Sequence, residues 1–177
     1  NIIFLFFGIL YNVEPFRFKN TFLIDVLLEA ANNPLRFLMG WSILIPNYYP
    51  PISIVLFFWL VGCFLMTMKR YSEYNFLSKR IDPTKYRKSF KTYNSQNLFD
   101  LSILYSLLSF FFFAIFIIKY KLELILLSPV TCLIYIRIFK ISQKKNSIIM
   151  NVEKIYKDTK FVYLVFFSLL FSIVLLQ

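Results

Sequence analysis

The side chains with most chemical potential in this 177-residue chain lie in three segments. The first reads Tyr11-Asn12-Val13-Glu14-Pro15-Phe16-Arg17-Phe18-Lys19-Asn20. Arg17 and Lys19 alternate with phenylalanines, so the rings can enter a membrane interface while both cations face one way; a basic loop that only anchors a helix end has the same pattern. In the second segment Asp25, Glu29, Asn32 or Asn33, and Arg36 recur at helical spacing, which places them on one face of a helix. Pro34 lacks an N–H, so the Ala30 carbonyl loses its helical partner and a kink is expected there, and Asn33, before the proline, is biased away from helical geometry. Two amides and a kink beside Arg36 describe a polar pocket; a purely structural Arg36–Glu29 pair is the alternative. The third segment starts with Lys69-Arg70-Tyr71-Ser72-Glu73-Tyr74 and continues as Asp82-Pro83-Thr84-Lys85-Tyr86-Arg87-Lys88-Ser89-Phe90-Lys91-Thr92-Tyr93. Asp82 and Pro83 are the N-cap and first-turn signal of a short helix. Basic residues interleaved with Tyr86, Phe90 and Tyr93 suit a lid over a phosphate group, or a solvated basic loop. The chemistry on offer is recognition of phosphate by cations. No residue stands out as a general base.

Other chemistries are excluded by composition. The chain has no histidine, which removes imidazole acid–base catalysis and most zinc sites. Three scattered glycines form no glycine-rich phosphate loop. Cys63 and Cys132 each sit among apolar neighbours and read as packing thiols, with no disulfide framework.

The elements that must position these groups are membrane helices. The chain is 59% hydrophobic and 21% aromatic. Uncharged runs cover Ile52–Met68, Leu101–Ile118, Leu124–Ile136 and Phe161–Leu176, against a requirement of roughly 20 apolar residues per span. Lys121, Glu123 and Arg137 can snorkel from the ends of the short third run. The segment from Asp25 to Ile45 is read as a further span. The fold class is therefore an all-α polytopic membrane protein in one domain, with helices over about 22–45, 51–78, 96–118, 122–141 and 159–176 and the end of another at 1–11. That opening run is too short to cross and looks like the tail of a helix whose first half is absent; nothing around it resembles a signal peptide.

Charge sets the expected orientation. Loops 12–20, 69–92 and 137–160 carry 17 of the 20 lysines and arginines, so the positive-inside rule makes them cytoplasmic and puts Gln177 on the opposite side. Trp41, Tyr48 and Tyr49 fall near the other boundary as an aromatic belt. The net charge of +11 is mostly topology, with Lys140, Lys144 and Lys145 as ordinary contributors, though it also offers anionic lipids or substrates something to bind. Division of the basic residues among loops between spans argues against a nucleic-acid partner.

Together these segments resemble the C-terminal half of the UbiA superfamily of intramembrane prenyltransferases. The matching residues are Tyr11, Pro15, Arg17 and Lys19; Asp25, Glu29, Asn33-Pro34-Leu35-Arg36 and Gly40-Trp41; Lys69-Arg70-x-x-Glu73; and Tyr86-Arg87-Lys88-Ser89-Phe90. The Lys-Arg-x-x-Glu element looks closest to the decaprenyl-phosphate phosphoribosyltransferase-like branch. The resemblance implies a nine-helix bundle of which this chain supplies the end of helix 4 through helix 9. It implies a polyprenyl phosphate or diphosphate substrate bound with Mg2+ at the cytoplasmic membrane face, and either prenyl or phosphoribosyl transfer. It assigns Arg17, Lys19, Lys69, Arg70 and Arg87 to the phosphate. Tyr11, Asp25, Glu29, Asn32, Asn33, Arg36 and Tyr86 become polar cavity groups and Glu73 a metal-facing carboxylate. Two departures stand out: the family's first aspartate-rich motif belongs to an N-terminal half not present here, and the second is reduced to Lys69, Arg70 and Glu73. The chain alone is thus expected to be inactive and to need that half, continuous with it or as a partner chain. An aromatic-ring prenyltransferase and a non-catalytic subunit of a membrane complex are the alternatives.

Overall fold

The structure, a computed structural model, describes residues 2–15, 17–144 and 147–176, with Ile2, Ile3, Phe4, Phe7 and Glu153 described in backbone only. Phe16, Lys145 and Gln177, named above, lie outside the described residues. Among those described there is no strand. The helices are α1 (Ile2–Asn12), α2 (Ile24–Ala30), α3 (Asn32–Leu44), α4 (Ile52–Leu77), α5 (Pro83–Tyr86), α6 (Ser95–Tyr120), α7 (Ser128–Ser142) and α8 (Thr159–Leu176). A 3-10 stretch, Leu122–Leu127, runs directly into α7, and another, Ile148–Lys157, joins α7 to α8.

Four segments are long and apolar enough to cross a bilayer: Ile52–Leu77, Ser95–Tyr120, Leu122–Ser142 and Thr159–Leu176. Their side chains explain the exposed apolar surface. No residue of α8 is buried, and Leu107, Phe111, Phe166 and Val174 are all more than half exposed. In water such faces would drive aggregation, whereas in lipid they cost nothing. The protein is a multi-pass integral membrane protein.

The expected helix over 22–45 is seen as two helical stretches of 7 and 13 residues that meet at Ala31, which itself keeps right-handed helical geometry, φ −60° and ψ −19°. The Leu35 N–H donates to the Ala31 carbonyl at 3.3 Å, so the helical path runs on past the joint. The interruption falls where Pro34 withholds an N–H from the Ala30 carbonyl. The freed Ala30 carbonyl abuts α4 at Gly62, where a Cβ would lie 3.1 Å from that oxygen and would also collide with the Asn33 amide. Gly62 is therefore needed for close approach rather than for backbone freedom.

Helix α4 is the hub. Cys63, Phe64 and Met68 are fully buried and pack with Val26 and Ala30 of α2, Tyr105 of α6, and Ile138 and Ile141 of α7. The Trp59 indole donates to the Leu27 carbonyl at 3.0 Å, tying α4 to α2. Cys132, by contrast, is exposed on α7 and is not a packing thiol; it sits on the helix's outer, lipid-type face. A second apolar cluster, Phe90, Tyr93 and Leu98 with Phe22, Tyr71 and Tyr74, pins the 82–93 segment onto α4 and α6. Asp82 caps α5, accepting from Thr84 N at 3.0 Å and from its hydroxyl at 2.9 Å. Those bonds hold the Asp82 carboxyl below its ordinary range. These contacts hold the basic segment folded against the membrane helices.

Candidate functional site

Between α1, α2, α4 and the 82–93 segment lies a buried network centred on Arg70. Its side chain is 2% exposed. Its Nη1 donates to Glu73 Oε2 at 3.1 Å, one helical turn on, and its Nη2 donates to Glu29 Oε2. The Nε lies 3.6 Å from Asp25 Oδ2 without a hydrogen bond. Asp25 is fully buried, and its Oδ2 also accepts from Arg87 Nη2 at 3.2 Å. Arg87 Nη2 also reaches the Tyr11 hydroxyl at 2.9 Å and the Lys19 carbonyl at 3.3 Å, while its Nε donates to Ser89 Oγ at 3.0 Å. Tyr11 in turn donates to Glu29 at 3.0 Å, and Lys69 Nζ lies 3.7 Å from the same carboxylate. Three carboxylates, Asp25, Glu29 and Glu73, thus face three cations, Lys69, Arg70 and Arg87, and the network is close to neutral. Burial of charge on this scale is tolerable only because nearly every group is paired.

One corner of the network is strained. Leu23 has φ 62° and ψ −44°, at the centre of a γ-turn in which Ile24 N–H donates to the Phe22 carbonyl at 2.7 Å. Such turns are rare for residues with a side chain. Tyr93 holds it: the Leu23 N–H donates to the tyrosine oxygen at 2.8 Å, and the tyrosine O–H donates to Asp25 Oδ1 at 2.7 Å. Burial, then the adjacent Asp25 charge, push the Tyr93 hydroxyl well above its ordinary pKa, so it remains a donor at every physiological pH.

Beside this network opens a pocket of about 500 Å³ lined by Arg17, Lys19, Lys85, Arg87 and Lys88, with Tyr86 at its rim. Among the described residues no carboxylate lines it. Arg17 adopts a left-handed conformation, φ 35°, and its Nη1 pairs with Glu14 at 2.8 Å on the exposed side. Lys19 Nζ donates to the Asn12 amide oxygen at 3.4 Å. Arg87 bridges the two sites, one face of its guanidinium in the buried network and the residue itself in the pocket wall.

The structure separates the sequence-derived residues into three groups. Tyr11, Asp25, Glu29, Lys69, Arg70, Glu73 and Arg87 converge in the buried network, and Arg17, Lys19, Tyr86 and Arg87 in the pocket. Asn32, Asn33 and Arg36 join neither. Asn33 packs on Gly62 of α4, Asn32 begins α3, and Arg36 is on an exposed face of α3. Glu29, which the alternative reading paired with Arg36, is held by Arg70, Lys69 and Tyr11. Tyr93 and Ser89, inside the motif but given no role, are structural members of the site, as are Lys85 and Lys88 of the pocket wall. Only their place in a basic, aromatic loop hinted at this.

Mg2+ does not fit these residues. Asp25, Glu29 and Glu73 are consumed by Arg70, so Glu73 faces a guanidinium rather than a cation site, and among the described residues no group of three acidic, cysteine or histidine side chains could hold a metal. The ligand chemistry the arrangement supports is anionic. Comparisons of the chain with protein-family models, curated proteins and solved structures find no match.

Proposed function

We propose that this chain binds a polyprenyl phosphate or diphosphate at the cytoplasmic membrane face, as one half of a UbiA-like intramembrane transferase. The carrying observation is the pocket of five cations and no carboxylate, set at the basic end of membrane helices. A phosphate entering it meets Lys19 and Lys88, which are in no ion pair among the described residues, and Lys85, whose charge also acts on Asp82, while the isoprenoid tail stays in lipid or apolar protein. Cations preorganised in this way stabilise charge developing on a departing or attacking phosphate. Arg17, Lys19 and Arg87 keep the phosphate-binding role that the resemblance implies. Lys69 and Arg70 take a different one, holding α2 against α4 so that Arg87 and the lid are correctly placed. The prenyl or phosphoribosyl transfer itself, and any magnesium, need residues from a further segment or partner chain, so the chain alone is inactive in this reading.

A second reading, a non-catalytic subunit of a membrane complex, is favoured by the internal neutrality of the Arg70 network, which leaves no carboxylate for chemistry. Photo-crosslinking separates the two. The chain in liposomes is treated with a polyprenyl phosphate carrying a photoreactive group near the phosphate. Crosslinks within 17–20 and 84–88, competed by unlabelled polyprenyl phosphate and not by polyprenol, support the transferase reading. Labelling spread along the lipid-facing helices, or equally competed by polyprenol, supports the subunit.

A further inference from the structure

A second site lies away from the lid, at the basic ends of α7 and α8. An open groove of about 480 Å³ runs between these helices. Its wall is apolar toward the middle of the helices, with Leu133 and Ile136 from α7 and Leu164 from α8. At its polar end are Lys140, near the end of α7, and Lys160, in the first turn of α8, with Tyr163 between them and the apolar wall. Both helices therefore present the same order, cation outward and aliphatic residues inward, although they run in opposite chain directions.

The charges at that end are unbalanced. Arg137, also in the wall, is consumed by Asp158, donating to its two carboxylate oxygens at 2.9 and 2.6 Å. The pair cancels the carboxylate nearest the groove. Lys140 and Lys160 are exposed, and among the described residues neither is in an ion pair. An occupant must thus carry a negative group for the two ammoniums and an apolar chain for the wall. Along α8, which buries nothing, the groove opens onto the surface that faces bilayer chains. A soluble anion would leave the wall unused, and a neutral lipid would leave the cations uncompensated. We propose that this groove seats one anionic phospholipid, its phosphate between Lys140 and Lys160 and an acyl chain against Leu133, Ile136 and Leu164. Cations at the membrane surface act on lipid phosphates in this way. The site shares no residue with the lid pocket.

The test is native mass spectrometry of the full chain in neutral detergent, titrated with dioleoylphosphatidylglycerol or dioleoylphosphatidylcholine. The first phosphatidylglycerol should bind saturably and in preference to phosphatidylcholine. Lys140→Gln with Lys160→Gln should weaken it by about tenfold, each near-surface cation contributing several-fold, and leave phosphatidylcholine unchanged. The control Lys79→Gln with Lys144→Gln removes two charges from a polar pocket between α4 and α7 and should change binding less than about twofold. Among the described residues none of these lysines is in an ion pair, and a thermal melt of each variant checks that the fold is kept. Equal weakening by both pairs, absence of a headgroup preference, or displacement of the lipid by soluble glycerol phosphate would each overturn the proposal.

Discussion

Replacing Arg70 by methionine removes the one group that three carboxylates share. Asp25, 0% exposed, would keep Arg87 and Tyr93, and Glu29 would keep Lys69 and Tyr11, but Glu73 would lose Arg70, its one ion-pair partner among the described residues. Breaking a buried ion pair from one side costs about 3–5 kcal/mol, because a desolvated charge is left behind. For a domain of this length 1 kcal/mol is about 2–4 °C, so Arg70→Met should lower the melting temperature by about 6–20 °C. Intrinsic fluorescence during a thermal ramp in detergent is a suitable assay, since Trp59 is bonded to the carbonyl of Leu27, which lies between Asp25 and Glu29 on α2. Arg70→Lys, which keeps the charge but not the planar fork, should fall between methionine and wild type. Adding Glu73→Gln to Arg70→Met should return at least about 1 kcal/mol, the cost of one uncompensated group. If Arg70→Met melts within about 2 °C of wild type, the network does not hold α2 to α4 and the energetic argument fails.

Three further outcomes follow from the same contacts. Tyr93→Phe orphans the Leu23 N–H in its strained turn and one oxygen of Asp25, and should cost about 1–3 kcal/mol in the same melt, with hydrogen exchange at Leu23 and Ile24 accelerated. The bonds from Arg137 hold Asp158 below the usual carboxylate range, and the carboxylate also accepts from Phe161 N–H at 2.9 Å. A folded pKa below the unfolded one stabilises above about pH 4 and ceases to do so as pH falls through the folded value. Asp158→Asn should thus melt about 1–2 kcal/mol below wild type at pH 7, a gap that closes between about pH 5 and pH 3; a gap independent of pH would contradict the sign. Single cysteines at Ser78 and Tyr49, at opposite ends of α4, in a background lacking Cys63 and Cys132, should label from opposite membrane faces, and same-face labelling would refute the expected topology.

Hydrophobic runs were readable because a membrane span is a one-dimensional property: length and absence of charge suffice. Capping by Asp82 was readable for the same reason, since the cap and its target are two residues apart. The packing of the segment around Ala31 was not: the Ala30 carbonyl and the Asn33 amide close on Gly62 of α4, which leaves no room for a side chain there. Periodicity put Asp25 and Glu29 on one face, and both carboxylates face Arg70. The partner that Glu29 takes, Arg70, lies 41 residues away, and Tyr93 is 68 residues from Asp25. Pairings at that separation leave no local signature. Basic loops could be counted from the sequence, yet only folding shows that Arg87 turns into a buried network while Lys85 and Lys88 line an open pocket.

Equilibrium binding in nanodiscs measures phosphate recognition by this pocket. The chain is titrated with a polyprenyl phosphate and, separately, with the corresponding polyprenol. Wild type should bind the phosphate saturably and the alcohol at least about tenfold more weakly, two charge-assisted contacts being worth about 1.5–3 kcal/mol each before screening. Lys19→Gln with Lys88→Gln, exposed or half-exposed positions of the pocket that are in no ion pair among the described residues, should abolish most of that preference without lowering the melting temperature, whereas Lys140→Gln with Lys160→Gln should leave it intact. Equal affinity for phosphate and alcohol, or a preference that survives loss of Lys19 and Lys88, would contradict the account.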